Sequence, residues 1–361
     1  MKILLIYRLD TADEKNLGVI HKMNAQHKAF QEHGEADLIT LSGTQVLKNG
    51  TAIRTFSSYY RAAYLFWSVL TKSLRSEKYD LVYIRYGLSG RSFIKFLSFI
   101  KGKIIIEMPT YPYESEYHGF INRSRIFIDK YWRKKLKEHV IRIVHFGSHD
   151  SIFGVQTICM TNGIDPSLYP VSDVPFHKDR INMIAVGKWN KWHGLDRLIS
   201  GMGAYYKKGG GGKFPVRLDV VGDGPELSNL VSLAKNLSLE EYIKFHGVKK
   251  GKDLDDLFEN ADVGVGSLGL HRIGLKEASP LKHREYGVRG LMILYAGHDN
   301  ILNKVNSFKV EGSEEKVKIM QLIQLYKEAQ NKSISKSTFR NKILNSVGWV
   351  SRIKIILSEP K

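Results

Sequence analysis

Short apolar runs recur along the chain at intervals long enough to hold a helix between them. KILLIY (2–7), DLVYIRY (80–86), KIIIEM (103–108), IRIVHF (141–146) and QTICMTNG (156–163) form a first series. INMIAVG (181–187), VRLDVVG (216–222), YIKFHG (242–247), ADVGVGS (261–267) and GLMILYA (290–296) form a second. Between members of the second series the apolar spacing turns helical, as in DRLISGMGAYY (196–206) and ELSNLVSLAKNL (226–237). Strands alternating with helices predict parallel sheets covered by helices, so two α/β domains in tandem are expected. The first covers 1–165 and the second 166–345, joined near IDPSLYPVSDVP (164–175), where prolines and turn residues cluster. WVSRIKIILSE (349–359) reads as a helix, and residues 346–361 are expected to pack back on the first domain.

Two glycine-rich or proline-marked stretches look chemical, and their contexts separate them. KKGGGGK (207–213) follows a predicted helix and precedes a predicted strand, which is the wrong order for a phosphate loop, so it reads as a flexible connection. GLKEASPLKHREYGVRG (274–290) has a proline that suits the first position of a helix. Ser279 is then expected as the N-cap and Pro280 as the first helical residue, with free amides on Leu281 and Lys282. Those amides, the positive end of the helix and the Lys282 ammonium converge, which predicts an anion site. Glu277 and Glu285 flank it. Two helical residues eight apart differ by ~12 Å along the axis, too far for a hydrolase's carboxylate pair, so separate roles are expected. Glu285 suits a vicinal diol such as a ribose, and Glu277 the group beyond the phosphate. GKWNKWHG (187–194) puts Lys188, Lys191 and His193 at the carboxyl end of a predicted strand, the edge where parallel sheets bind ligands.

Composition adds little except charge. The 361 residues carry a formal net charge of +19, which calls for an acidic partner: nucleic acid, an anionic membrane face or a phosphorylated substrate. Cys159 is the only cysteine, so no disulfide forms within the chain. The opening MKILLIYRLD reads as a buried strand rather than a cleavable signal, and the nine-residue run AAYLFWSVL falls short of a membrane span, which needs ~20 residues. A cytoplasmic protein is expected. INRSRIFIDKYWRKKLKEHVIR (121–142) has eight Lys or Arg against two acids, with apolar residues 127, 128, 131, 132, 136 and 140 on one helical stripe. It reads as an amphipathic helix whose basic side faces an anionic membrane.

The second half resembles the retaining GT-B-fold glycosyltransferases of family four. The resemblance runs through TNGID (161–165), AVGKWNKWHGLDRLI (185–199), LDVVGDGPEL (218–227), IKFHGV (243–248), ENADVGVGS (259–267) and the two glutamates at 277 and 285. In the first half it rests on NLGVIHKMNAQHKAF (16–30), and KWHGLDRLI with PLKHREYGVRG is similar to bacterial members that build capsule and other surface polysaccharides. The resemblance implies two Rossmann-like domains whose parallel sheets face across a cleft. It implies a UDP- or GDP-sugar as donor, bound mainly by the second domain, and a saccharide or lipid-linked saccharide as acceptor, bound mainly by the first. The family's basic pair on the diphosphate falls on Lys188 and His193, with Lys191 beside them and Gly194 closing the turn. A bound diphosphate is expected to favour protonated His193. Glu277 falls on the family's first glutamate, Glu285 on the ribose-binding one, and Gly18 on the glycine that lets the first loop approach the diphosphate. Gly247 and Val248 fall where the base is approached. Glu107, Tyr111 and Glu114 are the acceptor-side candidates. Catalysis is assigned to Glu277, Lys188 and His193, and no cofactor or metal is implied.

Three other readings are weighed. Asp253 and Asp255, or His145 and His149, suggest a metal, but the aspartates sit where a helix should start and the histidines in a predicted loop, without a third ligand. The basic 121–142 segment also suits nucleic acid, although its stripe favours a helix over a stacking platform, so none is expected to bind. A sugar-nucleotide epimerase or phosphorylase on the same fold stays open, because fold alone does not settle chemistry.

Overall fold

The computed structural model describes residues 1–358 apart from 115, 116, 118, 119, 172, 173, 300, 301, 303–306, 311, 313, 314, 333 and 334. Parts of the linker 164–175, of EMPTYPYESE (107–116) and of the last predicted helix therefore lie outside the described residues. The chain divides into two compact units, Met1–Asp165 with Gly348–Lys361, and Pro166–Val347.

In the first unit the strands are β1 (Lys2–Asp10), β2 (Glu35–Ser42), β3 (Gln45–Lys48), β4 (Thr51–Thr55), β5 (Lys78–Arg85), β6 (Lys101–Met108), β7 (Arg142–His145), β8 (Ser151–Ile152) and β9 (Val155–Cys159). They form one sheet in the order β4-β3-β2-β1-β5-β6-β7-β9-β8. Its centre is parallel, and only the β2–β3–β4 meander and the β8–β9 pair are antiparallel. Helices α1 (Leu17–Gln31), α2 (Tyr59–Ser73), α3 (Arg91–Phe99) and α4 (Phe120–Trp132) connect the strands. Strand β2 was not legible as an apolar run because Asp37 and Thr40, both buried, interrupt it. Asp37 is held inside by Asn49, Tyr79 and Lys48.

The second unit is a six-stranded, wholly parallel sheet: β10 (Ile181–Val186), β11 (Val216–Val221), β12 (Ile243–Phe245), β13 (Val263–Val265), β14 (Met292–Ala296) and β15 (Phe308–Val310), in the order β12-β11-β10-β13-β14-β15. Helices α5 (Leu195–Lys207), α6 (Leu227–Asn236), α7 (Gly251–Glu259), α8 (Leu281–Val288), α9 (Ile319–Asn331) and α10 (Lys336–Val347) accompany it. All strands run the same way, so the loops that follow them gather at one edge. Between α5 and β11, residues Gly210–Gly212 form a short 3-10 turn rather than a flexible tether. A Cβ on Gly210 would stand 2.4 Å from the Tyr205 ring, which explains the glycine there by packing.

The last helix, α11 (Trp349–Ser358), belongs to the first unit. Its buried Trp349, Ile353 and Ile356 join Ile3, Leu5, Met23 and Phe30 in one core cluster. Spacing of four and three residues puts the three on one face, and burying each contributes about 1.5–3 kcal/mol before entropy.

Candidate functional site

The carboxyl edge of the second sheet is built by loops pressed backbone to backbone. The Trp189 amide donates to the Asp223 carbonyl at 2.7 Å and the Glu226 amide to the Trp189 carbonyl at 3.2 Å, tying the loops after β10 and β11. Gly222 and Gly224 make this approach possible: their φ angles are +117° and +146°, and a Cβ would stand 2.0 Å from the Gly187 carbonyl oxygen and 2.4 Å from the Trp189 nitrogen. The Gly222 amide also donates to the Gly247 carbonyl at 2.7 Å, which brings in the loop after β12.

Helix α8 is fixed over this edge by Tyr286, whose hydroxyl accepts the Val186 amide at 3.0 Å. The helix cap is Pro280, with extended backbone and no side-chain cap bond, one residue later than expected. Ser279 is not the cap. Its hydroxyl accepts from the buried Arg284 guanidinium at 2.6 Å, because that guanidinium lies beneath the loop and competes successfully for it. The first-turn amides of Leu281 and Lys282 are left without intrahelical acceptors.

Lys282 turns back over the Trp189 ring, with Nζ 5.8 Å from its centroid. Nζ is buried and has no hydrogen-bond partner, and the same holds for Trp189 Nε1. An isolated ammonium out of water costs several kcal/mol. Burial accordingly pushes Lys282 down to about 7. A buried ammonium beside the free amides of a helix start is chemistry suited to an anion.

His193 lies beside Lys282. The Asn190 amide donates to Nδ1 at 3.0 Å, so Nδ1 carries no proton and only Nε2 is left to donate. Burial, with the nearby Lys282 charge, pushes the imidazole down to about 3. His193 is therefore a neutral donor rather than a cation. Lys188 and Lys191 are exposed on the same turn. Gly194, at φ +64°, is demanded by the fold, since a Cβ there would stand 2.6 Å from the Gly269 nitrogen.

Glu277 lies in the loop before α8, half-buried, in a parallel β-bridge with His298. Glu285, one turn into α8, accepts from Arg289 Nε at 3.2 Å, and Arg289 also reaches Asp255 at 2.8 Å. Burial raises the Glu285 carboxyl against the pull of Arg289. Gly247 takes a left-handed turn at φ +64°, and Val248 beside it is exposed.

Residues 172–307 match the profile of the family described as glycosyl transferases group 1. Over the whole chain the structure is similar to HepE of Anabaena, solved in complex with UDP and glucose, with 16% identity, 100% of each chain covered and a TM-score of 0.62. It is also similar to sucrose-phosphate synthase of Thermosynechococcus elongatus, at 13% identity, 99% and 98% coverage and a TM-score of 0.69. WaaG, a glycosyltransferase involved in lipopolysaccharide biosynthesis, gives 12% identity, 100% coverage of each chain and a TM-score of 0.62.

The fold is GT-B.

No curated protein sequence matches the chain. The profile match lies in the unit that carries Lys282, His193, Glu277 and Glu285.

The first unit of this GT-B chain holds the other expected residues in different states. Gly18 is exposed in the first turn of α1, and a Cβ there would meet nothing within 4 Å, so the chain's own packing does not require glycine. Glu107 is not an open acceptor-side carboxylate. It is fully buried, ion-paired with Lys22 at 2.9 Å and Arg85 at 2.6 Å, and hydrogen-bonded by Gln26 and Tyr83. Burial alone would raise it, but Lys22 and Arg85 overcome burial and hold it down to about 2. Glu114 pairs with Arg133 at 2.9 Å. Tyr111 packs edge-on against His149, with centroids 5.0 Å apart, and against His145 at 6.1 Å. These two imidazoles hydrogen-bond each other at 3.2 Å. Among the described residues no three His, Cys, Asp or Glu side chains gather as a metal site. Asp253 of α7 pairs with Lys249, just before the helix, and Asp256 with Lys252.

The amphipathic stripe expected over 121–142 is also replaced. The α-helix ends at Trp132 and a 3-10 helix runs over Arg133–Glu138, so one periodicity cannot hold across both. The inward face of α4 is Ile126 and Asp129, whose carboxylate takes Tyr86 at 2.5 Å and the Ser89 amide at 2.7 Å. Phe127, Ile128 and Tyr131 are instead 77%, 50% and 65% exposed, facing outward among the basic residues. A buried aspartate hid the true inner face. Among the described residues no helix is long and apolar enough to cross a membrane.

Sequence reasoning passed over Trp189, Tyr286, Arg284 and Asp299. The signal for Trp189 was a large aromatic inside a basic glycine turn; the others carry none outside the fold.

Proposed function

We propose that this protein is a retaining glycosyltransferase that moves a hexosyl group from a UDP- or GDP-sugar to a saccharide or lipid-linked saccharide in surface polysaccharide synthesis. The observation that carries the reading is the buried, unpartnered Lys282 ammonium at the open start of α8. A diphosphate placed there accepts from Lys282, from the first-turn amides and from His193 Nε2–H. As the sugar leaves, negative charge grows on the diphosphate, and these preoriented donors stabilise it without reorganising. In this reading the acceptor hydroxyl attacks from the leaving-group face and gives its proton to a phosphate oxygen, so neither a protein nucleophile nor a metal is required. Glu277 faces the donor sugar and Glu285 the ribose. HepE, solved with UDP and glucose, supports UDP as the first nucleotide to try.

The acceptor side belongs to the first unit, with Tyr111 and Glu114 as its candidates. Glu107 serves there as a buried support rather than a contact. The outward aromatics of α4, together with Tyr60 and Tyr64 of α2, 84% and 81% exposed, support work at the inner face of an anionic membrane.

The deciding experiment is calorimetry with UDP, GDP and their sugars, followed by product analysis with and without acceptor. Selective binding of one nucleotide and a product of retained anomeric configuration are expected. Indifference to every nucleoside diphosphate ends the reading, and an altered sugar nucleotide without acceptor points to an epimerase.

A further inference from the structure

The loop bearing Glu277 has little of its own to hold it in place. It runs from Gly274 to Pro280 and contains no helix or strand beyond its bridge with His298. Two backbone bonds make that bridge: the Ala278 amide donates to the His298 carbonyl at 3.1 Å, and the His298 amide to the Lys276 carbonyl at 3.0 Å. Gly297 permits the crossing, with φ +82° and a would-be Cβ 3.1 Å from the Lys276 carbonyl oxygen. The position of Glu277 is thus inherited from residues 297–299.

Residue 299 is an aspartate, 2% exposed, and α8 surrounds its carboxylate. Arg284 donates Nη1 to Oδ2 and Nη2 to Oδ1, the latter at 2.9 Å, and His283 Nδ1 lies 3.0 Å from Oδ2. The same Arg284 Nη2 holds Ser279 at 2.6 Å, two residues from Glu277. On its other side His283 Nε2 takes the Ser267 amide at 3.4 Å, which fixes Nδ1 as the protonated nitrogen. Burial alone would raise Asp299, yet His283 and Arg284 hold it well below the usual carboxylate range. It is ionised at any working pH.

We propose that Asp299 is a positioning residue: by clamping residues 297–299 to α8, it sets Glu277 at a constant place relative to Lys282. This rests on the glycosyltransferase reading, in which Glu277 meets the donor sugar and Lys282 the diphosphate. Both ends of the donor are then registered through one carboxylate that touches neither. Bidentate guanidinium–carboxylate pairs have directional geometry, so the clamp resists sliding as well as separation. A buried pair of this kind contributes more to a unique arrangement than to net stability.

The consequence separates chemistry from binding. Asp299→Asn keeps shape and one acceptor oxygen but loses the charge that holds Arg284 and His283. Lys282 and Glu285 stay on their helix, so UDP or GDP affinity, whichever the wild type shows, is expected near the wild-type value. Glu277 drifts, and a misplacement near 1 Å costs roughly a hundredfold in kcat. Ser279→Ala removes the second grip of Arg284 on the same loop and is expected to lower kcat in the same direction by a smaller factor. Because Asp299→Asn leaves a buried guanidinium uncompensated and can fail to fold, Ser279→Ala provides a test in a folded protein. Wild type is assayed first, and a wild type that transfers no sugar takes the positioning role down with the activity. With active wild type, full kcat in folded Asp299→Asn or in Ser279→Ala overturns the proposal, as does a parallel loss of kcat and nucleotide affinity.

Discussion

The backbone amide of Asn190 donates to Nδ1 of His193 at 3.0 Å, so the imidazole beside Lys282 is a neutral hydrogen-bond donor. A cation at residue 193 would face Lys282 at close range in a buried site, and like charges there disfavour each other. The buried positive charge of the site lies on the first turn of α8, while Lys188 and Lys191 on the β10–α5 turn are exposed.

His193→Ala is therefore expected to weaken nucleoside diphosphate binding by the worth of one hydrogen bond to a charged group, about 1.5–3 kcal/mol. Because His193 is held down to about 3, its loss should not remove any step in the affinity–pH curve near pH 6–7. Calorimetry across that range checks this, and a step present only in the wild type contradicts the neutral assignment.

Lys282 titrates where His193 does not. In the ligand-free fold it sits near 7, below its ordinary value, so between pH 7 and roughly 10 the unfolded chain holds a proton that the fold lacks. Stability of the ligand-free protein should rise with pH across that window, and Lys282→Met should remove the rise. Diphosphate binding favours the ammonium, so binding at pH 8–9 should take up a proton, visible as a buffer-dependent heat. Lys282→Met should abolish the uptake and weaken binding roughly 10–100-fold.

The two glutamates should separate by phenotype. Glu277→Ala is expected to cut turnover by two or more orders of magnitude while the fold persists, on the order of losing one transition-state contact. Glu285→Ala is expected to weaken nucleotide binding instead, with the added effect of freeing Arg289 from one of its two carboxylates. Near-normal turnover in the first, or unchanged nucleotide affinity in the second, removes that residue from its role.

Glycine substitutions distinguish packing from function. Gly222→Ala places a methyl 2.0 Å from the Gly187 carbonyl oxygen at a φ of +117°, and a destabilisation of about 2 kcal/mol or more is expected in a denaturant melt. Gly18→Ala meets nothing within 4 Å and replaces a helical glycine, so stability should hold or rise by about 0.5–1 kcal/mol. If the start of α1 approaches the diphosphate, the same change lowers nucleotide affinity; unaltered affinity withdraws Gly18 from the donor site.

The outward residues of α4 give the last test. Phe127→Ser with Tyr131→Ser should reduce binding to vesicles containing anionic phospholipid without changing the melting temperature, since both side chains are mostly exposed. Binding to vesicles of neutral phosphatidylcholine alone should be weak, and binding should fall with salt. Salt-sensitive association with nucleic acid, and none with vesicles, favours the other reading of the basic charge.

The apolar runs of this chain determined a good deal by themselves. Apolar strands such as KILLIY and INMIAVG are covered on both faces, so burial wrote them directly into the residue order. The parallel parts of the two sheets followed, while the antiparallel β3, β4 and β8 did not. The turn glycines at 194, 222 and 224 were likewise visible, because close backbone approach leaves no other residue type available. What the order of residues did not carry is polar burial. Strand β2, the inner face of α4 and the Ser279–Arg284–Asp299 cluster depend on buried aspartates and arginines whose partners lie far along the chain. A buried charge reads as a surface residue until its counter-charge is placed, and only the tertiary structure places it. The same holds for His193 and Lys282: the fold, through one backbone amide and the loss of water, left one neutral donor and one titrating ammonium.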